Sequence, residues 1–480
     1  MNFRSYAAAT LTVILWTFSL AQDSSPQQRS LQTDYRIGFT LTPDSVSHQG
    51  NEGMRAAIID PTSSARTINL LNTPYVPVGT QFAGWLRDGN VLLTTTHVLK
   101  SPRCEDSTFK GVLGRNCEVL PLVVDSYVAN PKTGVIKYCL TCDLHNDQST
   151  DYLYSQTPQP VYSSKAKDVS YYVISTHHGP INPEGTATLT KVFKVGPQGQ
   201  PPSDKKPLLA FDVLVHGCQI SPDGNWLACE PLNRPKDRDG NYNPTEAKFP
   251  GGHYCWDGVI LVETKTGAES CVGNIAEYSG DSVAIWSPDS NGFLYFSQDR
   301  ENAPEKGWRP TKGWLNYYKL KTKTGFPIRV AKGTTPTYFC KLLVPCEAIG
   351  RGPTWSPCWK ENPCQNEFGD SKWLYFSAYY PAPSASAASQ VIGKVSLDRP
   401  DKFIPVTEEL GLDAGYPVIS VDGSRLAFLA TESSTDRRRQ LYTMEFKSCK
   451  PDFKSCNFVK LTWFDARSFT GADTPNWPAR

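Results

Sequence analysis

Apolar and polar positions along the chain fall into short β-type runs rather than helical ones. A characteristic phrase is an apolar stretch, a Pro-Asp-Gly type turn and a second apolar stretch. It reads QISPDGNWLACE from Gln219, IWSPDSNGFLYFS from Ile285 and VISVDGSRLAFLA from Val418. Such a run, turn and run predicts a β-hairpin. The phrase recurs in looser form as GWLRDGNVLLTTT from Gly84, VYSSKAKDVSYYVIS from Val161, and TWSPCWK from Thr354 running on to KWLYFS. With Trp85, Tyr162, Ile220, Trp286, Trp355, Ile419 and Trp477 as markers, the steps range from 58 to 77 residues. Second hairpins follow the markers, among them ILVETKTGAESCVG from Ile260 and YYKLKTKTGFPIRVA from Tyr317. Four antiparallel strands per period, repeated along the chain, predict an all-β protein built as a single β-propeller.

The two ends complement each other. GADTPNWPAR at the C-terminus supplies only a first strand, whereas YRIGFTLT, MRAAIID and TINLLN near the N-terminus match second, third and fourth strands. The expectation is therefore seven four-stranded blades, one of them shared by both termini. The alternative is six blades with a loose N-terminal hairpin. A shared blade leaves no open sheet edge for aggregation.

Outside the repeat, Met1–Ala21 carries Arg4, an apolar run from Ala7 to Leu20 and the small-x-small sequence Ser19-Leu20-Ala21. That is the anatomy of a secretory signal peptide, too short to favour a membrane span. Residues 22–33 read as a polar, flexible lead-in, and residues 34–480 as the propeller. The 14 cysteines fall into close neighbours, 104/117, 139/142, 218/229, 255/271, 340/346, 358/364 and 449/456. Local disulfides in an oxidising compartment account for that spacing. Cys218 and Cys229 sit symmetrically about the Pro222-Asp223-Gly224-Asn225 turn, and Cys449 and Cys456 flank Lys450–Phe453 in the same way. A zinc site is the rival, resting on the spacing of Cys139 and Cys142. With 49 Lys and Arg against 47 Asp and Glu, the net charge is only +2, which argues against capture of nucleic acid or of an anionic membrane surface. Small molecules are the expected partners, with no stable membrane insertion after signal cleavage and secretion or a secretory-pathway lumen as the location.

The repeats resemble those of the TolB-like propeller family, in which a Trp-Ser-Pro-Asp-Gly turn joins the first two strands of a blade. The resemblance spans nearly all of residues 35–480 and implies a fold without implying a chemistry. In such a blade the start of the first strand and the end of the second share one face of the ring. His97, His177, His178, Glu230, Asp299, Arg300, Tyr379, Tyr380 and Glu432 leave second strands, while His216, Asp281, Arg351, Asp413 and Asp473 enter first strands. All are expected around one mouth of the central channel, the default place for a site. Catalytic roles are expected of Arg351, His97, His178 and His216, and substrate binding of His177, Glu230, Arg300 and Tyr380. Asp281 and Asp473 read better as backbone caps. A metal held by His177 and His178 with His97 and Glu230 is an alternative, as is calcium in the Asp237–Glu246 loop, but neither metal nor cofactor is expected.

The sequence holds no Gly-x-Ser-x-Gly elbow, no His-Glu-x-x-His and no Gly-rich phosphate loop. A single disulfide-stapled propeller of this kind is similar to the fungal hetero-Diels–Alderases of tropolone-sesquiterpenoid pathways. That likeness implies a cofactor-independent cycloaddition between two apolar intermediates. The alternatives are a metal-dependent lyase of acidic sugars and a secreted propeller that binds glycans or peptides.

Overall fold

The structure is a computed structural model. It describes residues 35–42, 54–71, 80–86, 88–98, 122–141, 152–155, 159–162, 169–178, 190–195, 208–211, 215–231, 259–272, 285–303, 307–328, 354–355, 373–380, 389–420, 422–431, 439–449, 453, 455–464 and 471–476. Arg351, Asp281, Glu432, the Asp237–Glu246 loop and the expected signal peptide and lead-in lie outside these residues.

The N-terminal strands are β1 (Ile37–Thr42), β2 (Arg55–Ile59) and β3 (Ile68–Leu70). Next come β4 (Thr80–Trp85), β5 (Val91–Val98), β6 (Leu122–Ala129) and β7 (Ile136–Cys139), which form one antiparallel sheet. A second sheet holds β8 (Tyr152–Ser155), β9 (Gln159–Tyr162), β10 (Val169–His178), β11 (Thr190–Val195) and β12 (Leu209–Phe211). Here the first strand is split, because β8 and β9 both pair with β10. A third sheet runs β13 (Val215–Ile220), β14 (Trp226–Pro231), β15 (Val259–Glu263) and β16 (Glu269–Val272). A fourth has β17 (Ile285–Trp286), β18 (Gly292–Ala303), β19 (Gly307–Lys319) and β20 (Thr324–Pro327), and a fifth has β21 (Thr354–Trp355), β22 (Trp373–Tyr380), β23 (Ser389–Ser396) and β24 (Arg399–Pro405). The last strands are β25 (Asp413–Ile419), β26 (Arg425–Thr431), β27 (Arg439–Glu445), β28 (Phe458–Lys460) and β29 (Gly471–Asn476).

These strands make a single all-β propeller of six hydrogen-bonded sheets, the alternative count rather than the expected seven. The difference lies at the closure. Strand β29 pairs antiparallel with β1, and one parallel bridge, Arg439 to Gly471, joins it to β27. That bridge fuses β25–β28 with β29, β1, β2 and β3 into one eight-stranded sheet. First strands of neighbouring sheets pack against one another, β13 on β17, β21 on β25 and β29 on β4, which gathers them on the inside.

Apolar alternation along each strand fills the seams between sheets. Ala228 and Val259 meet Trp286 and Phe293, and Leu294 and Tyr317 meet Leu374 and Phe376. Tyr375 and Ile392 meet Phe428 and Tyr442, and Ala56 and Ile58 meet Phe82 and Leu93. Ile37, Phe39 and Ile59 pack on Leu429 and Leu441, so a buried cluster also lies between the two halves of the eight-stranded sheet. Each fully buried aliphatic or aromatic side chain contributes about 1.5–3 kcal/mol.

The repeated turn has a physical cause. Ser221 Oγ donates to Asp223 Oδ1 at 2.5 Å, the Asn225 amide donates to the same carboxylate, and the Trp226 amide donates to Ser221 Oγ. Gly224 supplies the left-handed residue at φ 74°. Ser287, Asp289 and Asn291 repeat the network, with Ser290 at φ 57° in the glycine's place. Its hydroxyl accepts from the Asp223 amide at 3.0 Å, tying one blade turn to the next. The blade-marking Trp286 donates from Nε1 to the Gln219 carbonyl of the preceding sheet at 2.8 Å.

Two of the expected disulfides are closed among the described residues. Cys218 and Cys229 are direct cross-strand partners in the β13–β14 hairpin. Cys449 and Cys456 are also bridged, but across a loop after a 3₁₀ turn (Phe446–Ser448) rather than across a strand pair. Cys139 is disulfide-bonded as well. The other expected cysteine pairs include residues outside the described set. No helix among the described residues is long and apolar enough to cross a membrane.

Candidate functional site

Antiparallel pairing fixes where the expected site residues fall. Glu230, next to last in β14, pairs with Gly217 at the start of β13, and Val215 pairs with Pro231. The register shifts between Val215 and Gly217, so His216 is the extra residue of a β-bulge beside Glu230. Bulges re-aim a strand and are common near active sites. The fold thus joins two residues that the sequence separates by the whole hairpin.

His97, His177, His178 and Tyr380 also sit at second-strand ends, and Arg300 lies three residues before the end of β18. His97 pairs with Val123, His177 with Leu153, His178 with Tyr152 and Tyr380 with Ser389. Arg300 pairs with Pro310 directly after a register shift.

Strand alternation then separates what the sequence suggested as clusters. His177 and His178 are neighbours on β10 and fall on opposite faces. His177 shares the face of Val173, whose cross-strand partner Phe193 packs on Leu92 and Val128 of the β4–β7 sheet. His97 shares the face of Val91 and Leu93, which pack on Ala56 and Ile58. His97 lies on β5 and His177 and His178 on β10, strands of two different sheets. Arg300 is on β18 and Tyr380 on β22, strands whose Leu294, Leu374 and Phe376 share one apolar cluster. Among the described residues, no group of three or more His, Cys, Asp or Glu side chains is placed to hold a metal ion.

Among the acids expected at first-strand starts, Asp413 is a backbone cap whose Oδ1 accepts from the Gln390 amide at 2.8 Å. Asp473 lies in β29 opposite Thr40.

The described interior keeps its tyrosines neutral. Burial pushes the Tyr375 phenol well above its usual range, and it also raises Tyr295, Tyr317 and Tyr318. Tyr127 is raised by burial and by the Asp125 charge, with partial relief from Thr95.

One feature of the rim had no sequence signal. Strand β25 breaks register between Gly415 and Val418, and Tyr416 adopts φ 56°. A left-handed backbone is strained for a bulky aromatic, and Arg439 lies over its ring at 4.8 Å. Ser377, buried on β22, faces this irregular stretch.

No protein-family model and no curated protein matches the chain. Solved structures similar to it include a point mutant of Synechocystis apocarotenoid oxygenase, at 10% identity over 92% of each chain with a TM-score of 0.48. A putative 6-phosphogluconolactonase from Bacteroides fragilis matches at 14% identity over 92% of this chain and 98% of that one, with a TM-score of 0.40. A eukaryotic initiation factor matches at 10% identity over the same shares, with a TM-score of 0.41. Likeness at this level carries no activity, and the propeller assignment rests on the sheet topology.

Proposed function

We propose that the protein is a secretory-pathway enzyme that joins two small apolar reactants by hetero-Diels–Alder cycloaddition, without a cofactor, at the rim formed by second-strand ends and first-strand starts. The observation that carries this reading is the β13–β14 register, which puts His216 on a bulge beside Glu230 at that rim. Arg300 and Tyr380 lie on β18 and β22, strands of adjacent sheets whose seam is apolar. The resemblance to the fungal hetero-Diels–Alderases and the lack of a nucleophile motif in the sequence favour the same chemistry.

A cycloaddition asks for little covalent help. Holding two partners at near-attack distance supplies roughly 7–11 kcal/mol in favourable cases. One donor aimed at the oxygen of the electron-poor partner adds about 3 kcal/mol as charge builds there. His216 and Arg351 are the donors of choice, with His97 and His178 as further ring donors and His177, Glu230, Arg300 and Tyr380 lining the substrate. In the same reading the leader directs the chain to the secretory lumen.

The test is to incubate the purified protein with a quinone methide precursor and a terpene alkene, with and without chelator. Acceleration and stereochemical bias that survive chelator support the proposal. A product mixture identical to the uncatalysed one refutes it. Chelator-sensitive elimination on a uronic acid polymer assigns the lyase reading instead.

A further inference from the structure

The turn between β17 and β18 carries the chain's only Asn-Gly sequence, Asn291-Gly292. The fold imposes both residues. Asn291 closes the turn network, its backbone amide donating to Asp289 Oδ1 at 3.0 Å and its Nδ2 to Asp289 Oδ2 at 2.9 Å. Asn225 closes the preceding sheet's turn on Asp223 in the same way. Gly292 opens β18 where a Cβ would lie 2.2 Å from the Tyr318 carbonyl oxygen, so no other residue fits. Asn225 is followed by the bulky Trp226, whereas Gly292 brings no side chain to shield its own backbone nitrogen.

Such a pair is chemically labile. The Gly292 nitrogen can attack Asn291 Cγ, so that an N–Cγ bond forms as the Cγ–Nδ2 bond breaks. The amide proton passes through solvent to the departing nitrogen, which leaves as ammonia. Water then opens the cyclic imide at Cγ to give aspartate, or at the backbone carbonyl carbon to give isoaspartate. The turn restrains every group in this sequence. The Gly292 amide, which must lose its proton to attack, donates to Ser287 Oγ at 3.2 Å. The leaving Nδ2 is held on Asp289, and the Asn291 carbonyl accepts from the Leu320 amide at 3.0 Å. Ser287 is buried, while Asn291 itself is exposed to the water that the reaction needs.

We propose that Asn291 is a dormant deamidation site, protected by the folded turn and converted to aspartate and isoaspartate when the turn opens. Conversion puts a carboxylate where an amide donor met Asp289 Oδ2, so the turn loses a bond and gains a like-charge contact. The adjacent Ser290 hydroxyl accepts from the Asp223 amide at 3.0 Å, and the damage therefore falls on the tie between the third and fourth sheets. Gly292 and Arg300 lie toward opposite ends of β18, so the modification acts on stability and not on the rim.

The experiment follows conversion at Asn291 by peptide mapping and mass spectrometry of the whole protein held in mildly alkaline buffer below its melting temperature. A synthetic peptide of residues 285–295 gives the unrestrained rate. Folded wild type should convert about 10-fold more slowly than the peptide, because two hydrogen bonds must break first. Wild type unfolded in urea should match the peptide. Ser287→Ala frees the Gly292 amide and should convert faster than wild type while its near-ultraviolet circular dichroism remains native. Asn225 should stay intact in every digest. Folded wild type that converts as fast as the peptide overturns the proposal, and this comparison needs no variant to fold. So does a folded Ser287→Ala that converts at the wild-type rate, or Asn225 converting alongside Asn291. Asn291→Asp mimics the product and should melt several degrees lower. A wild-type melting temperature for that variant would refute the loss of the tie.

Discussion

Replacing Tyr35 with Phe tests how the start of the propeller is held. The Tyr35 hydroxyl donates to Asp422 Oδ2 at 2.7 Å, across 387 residues of chain. Asp422 is the turn acid of the β25–β26 hairpin and also accepts from Ser420 Oγ at 2.6 Å, from the Ser424 amide at 3.0 Å and from Ser424 Oγ. Arg425 stacks over the Tyr35 ring at 4.3 Å, a contact that Phe keeps. Burial alone would push the Asp422 carboxyl up, but the bonds from Ser420, Tyr35 and Ser424 outweigh it and hold the group below its usual range.

A hydrogen bond to a buried charged group is worth about 1.5–3 kcal/mol. Asp422 is only half-buried, so solvent screening lowers the Tyr35 share to about 1 kcal/mol. Asp422→Ala removes every bond that this carboxylate accepts and should cost about 2–3 kcal/mol. Urea unfolding of both single variants and the double variant closes a cycle, and the expected coupling is about 1 kcal/mol. The pH dependence follows from the depressed carboxyl. Its stabilisation is complete above the unfolded-state value of about 4 and is lost as pH falls through the lower folded-state value. Wild type should lose stability in that acid window, and Asp422→Asn should flatten the loss. Additive single effects with an unchanged acid profile would refute the reasoning.

Other consequences follow from the packing. Gly38→Ala would put a methyl group 2.0 Å from the Phe82 ring, which is buried in the seam between β1–β3 and β4–β7. It should cost about 2–3 kcal/mol by urea unfolding, and a wild-type midpoint would contradict the seam. Removing the Cys218–Cys229 bridge by a double Ala substitution opens a short loop and should cost about 2–3 kcal/mol in thermal unfolding under oxidising conditions. Deleting residues 471–480 takes away β29 and leaves β1 an open edge, so the truncated protein should aggregate or melt several degrees lower. An unchanged melting temperature would show that the β1–β29 pairing does not hold the ring.

The fold was legible because its signals are local. Ser-Pro-Asp-Gly phrases specify hairpins through the side-chain network around Asp223, Asp289 and Asp422, and each network sits within five residues of sequence. The pairing of the chain ends was also readable, since a lone first strand needs partners that the N-terminus offers. The sheet count was not, because one bridge between Arg439 and Gly471 decides it and no residue type announces such a contact. The site was legible only as a rim. Sequence placed His177 and His178 together, and β10 carries both at its end. It gave no sign that His216 occupies a bulge, because bulges answer to tertiary pairing and not to composition.

The central claim is that the rim directs a cycloaddition between apolar partners. The enantiomeric ratio of the cycloadduct, measured by chiral chromatography on reactions with and without the protein, tests it most directly. The account predicts a strong excess of one stereoisomer with wild type, reduced by His216→Ala at unchanged thermal stability. A racemic product at the uncatalysed rate would contradict it.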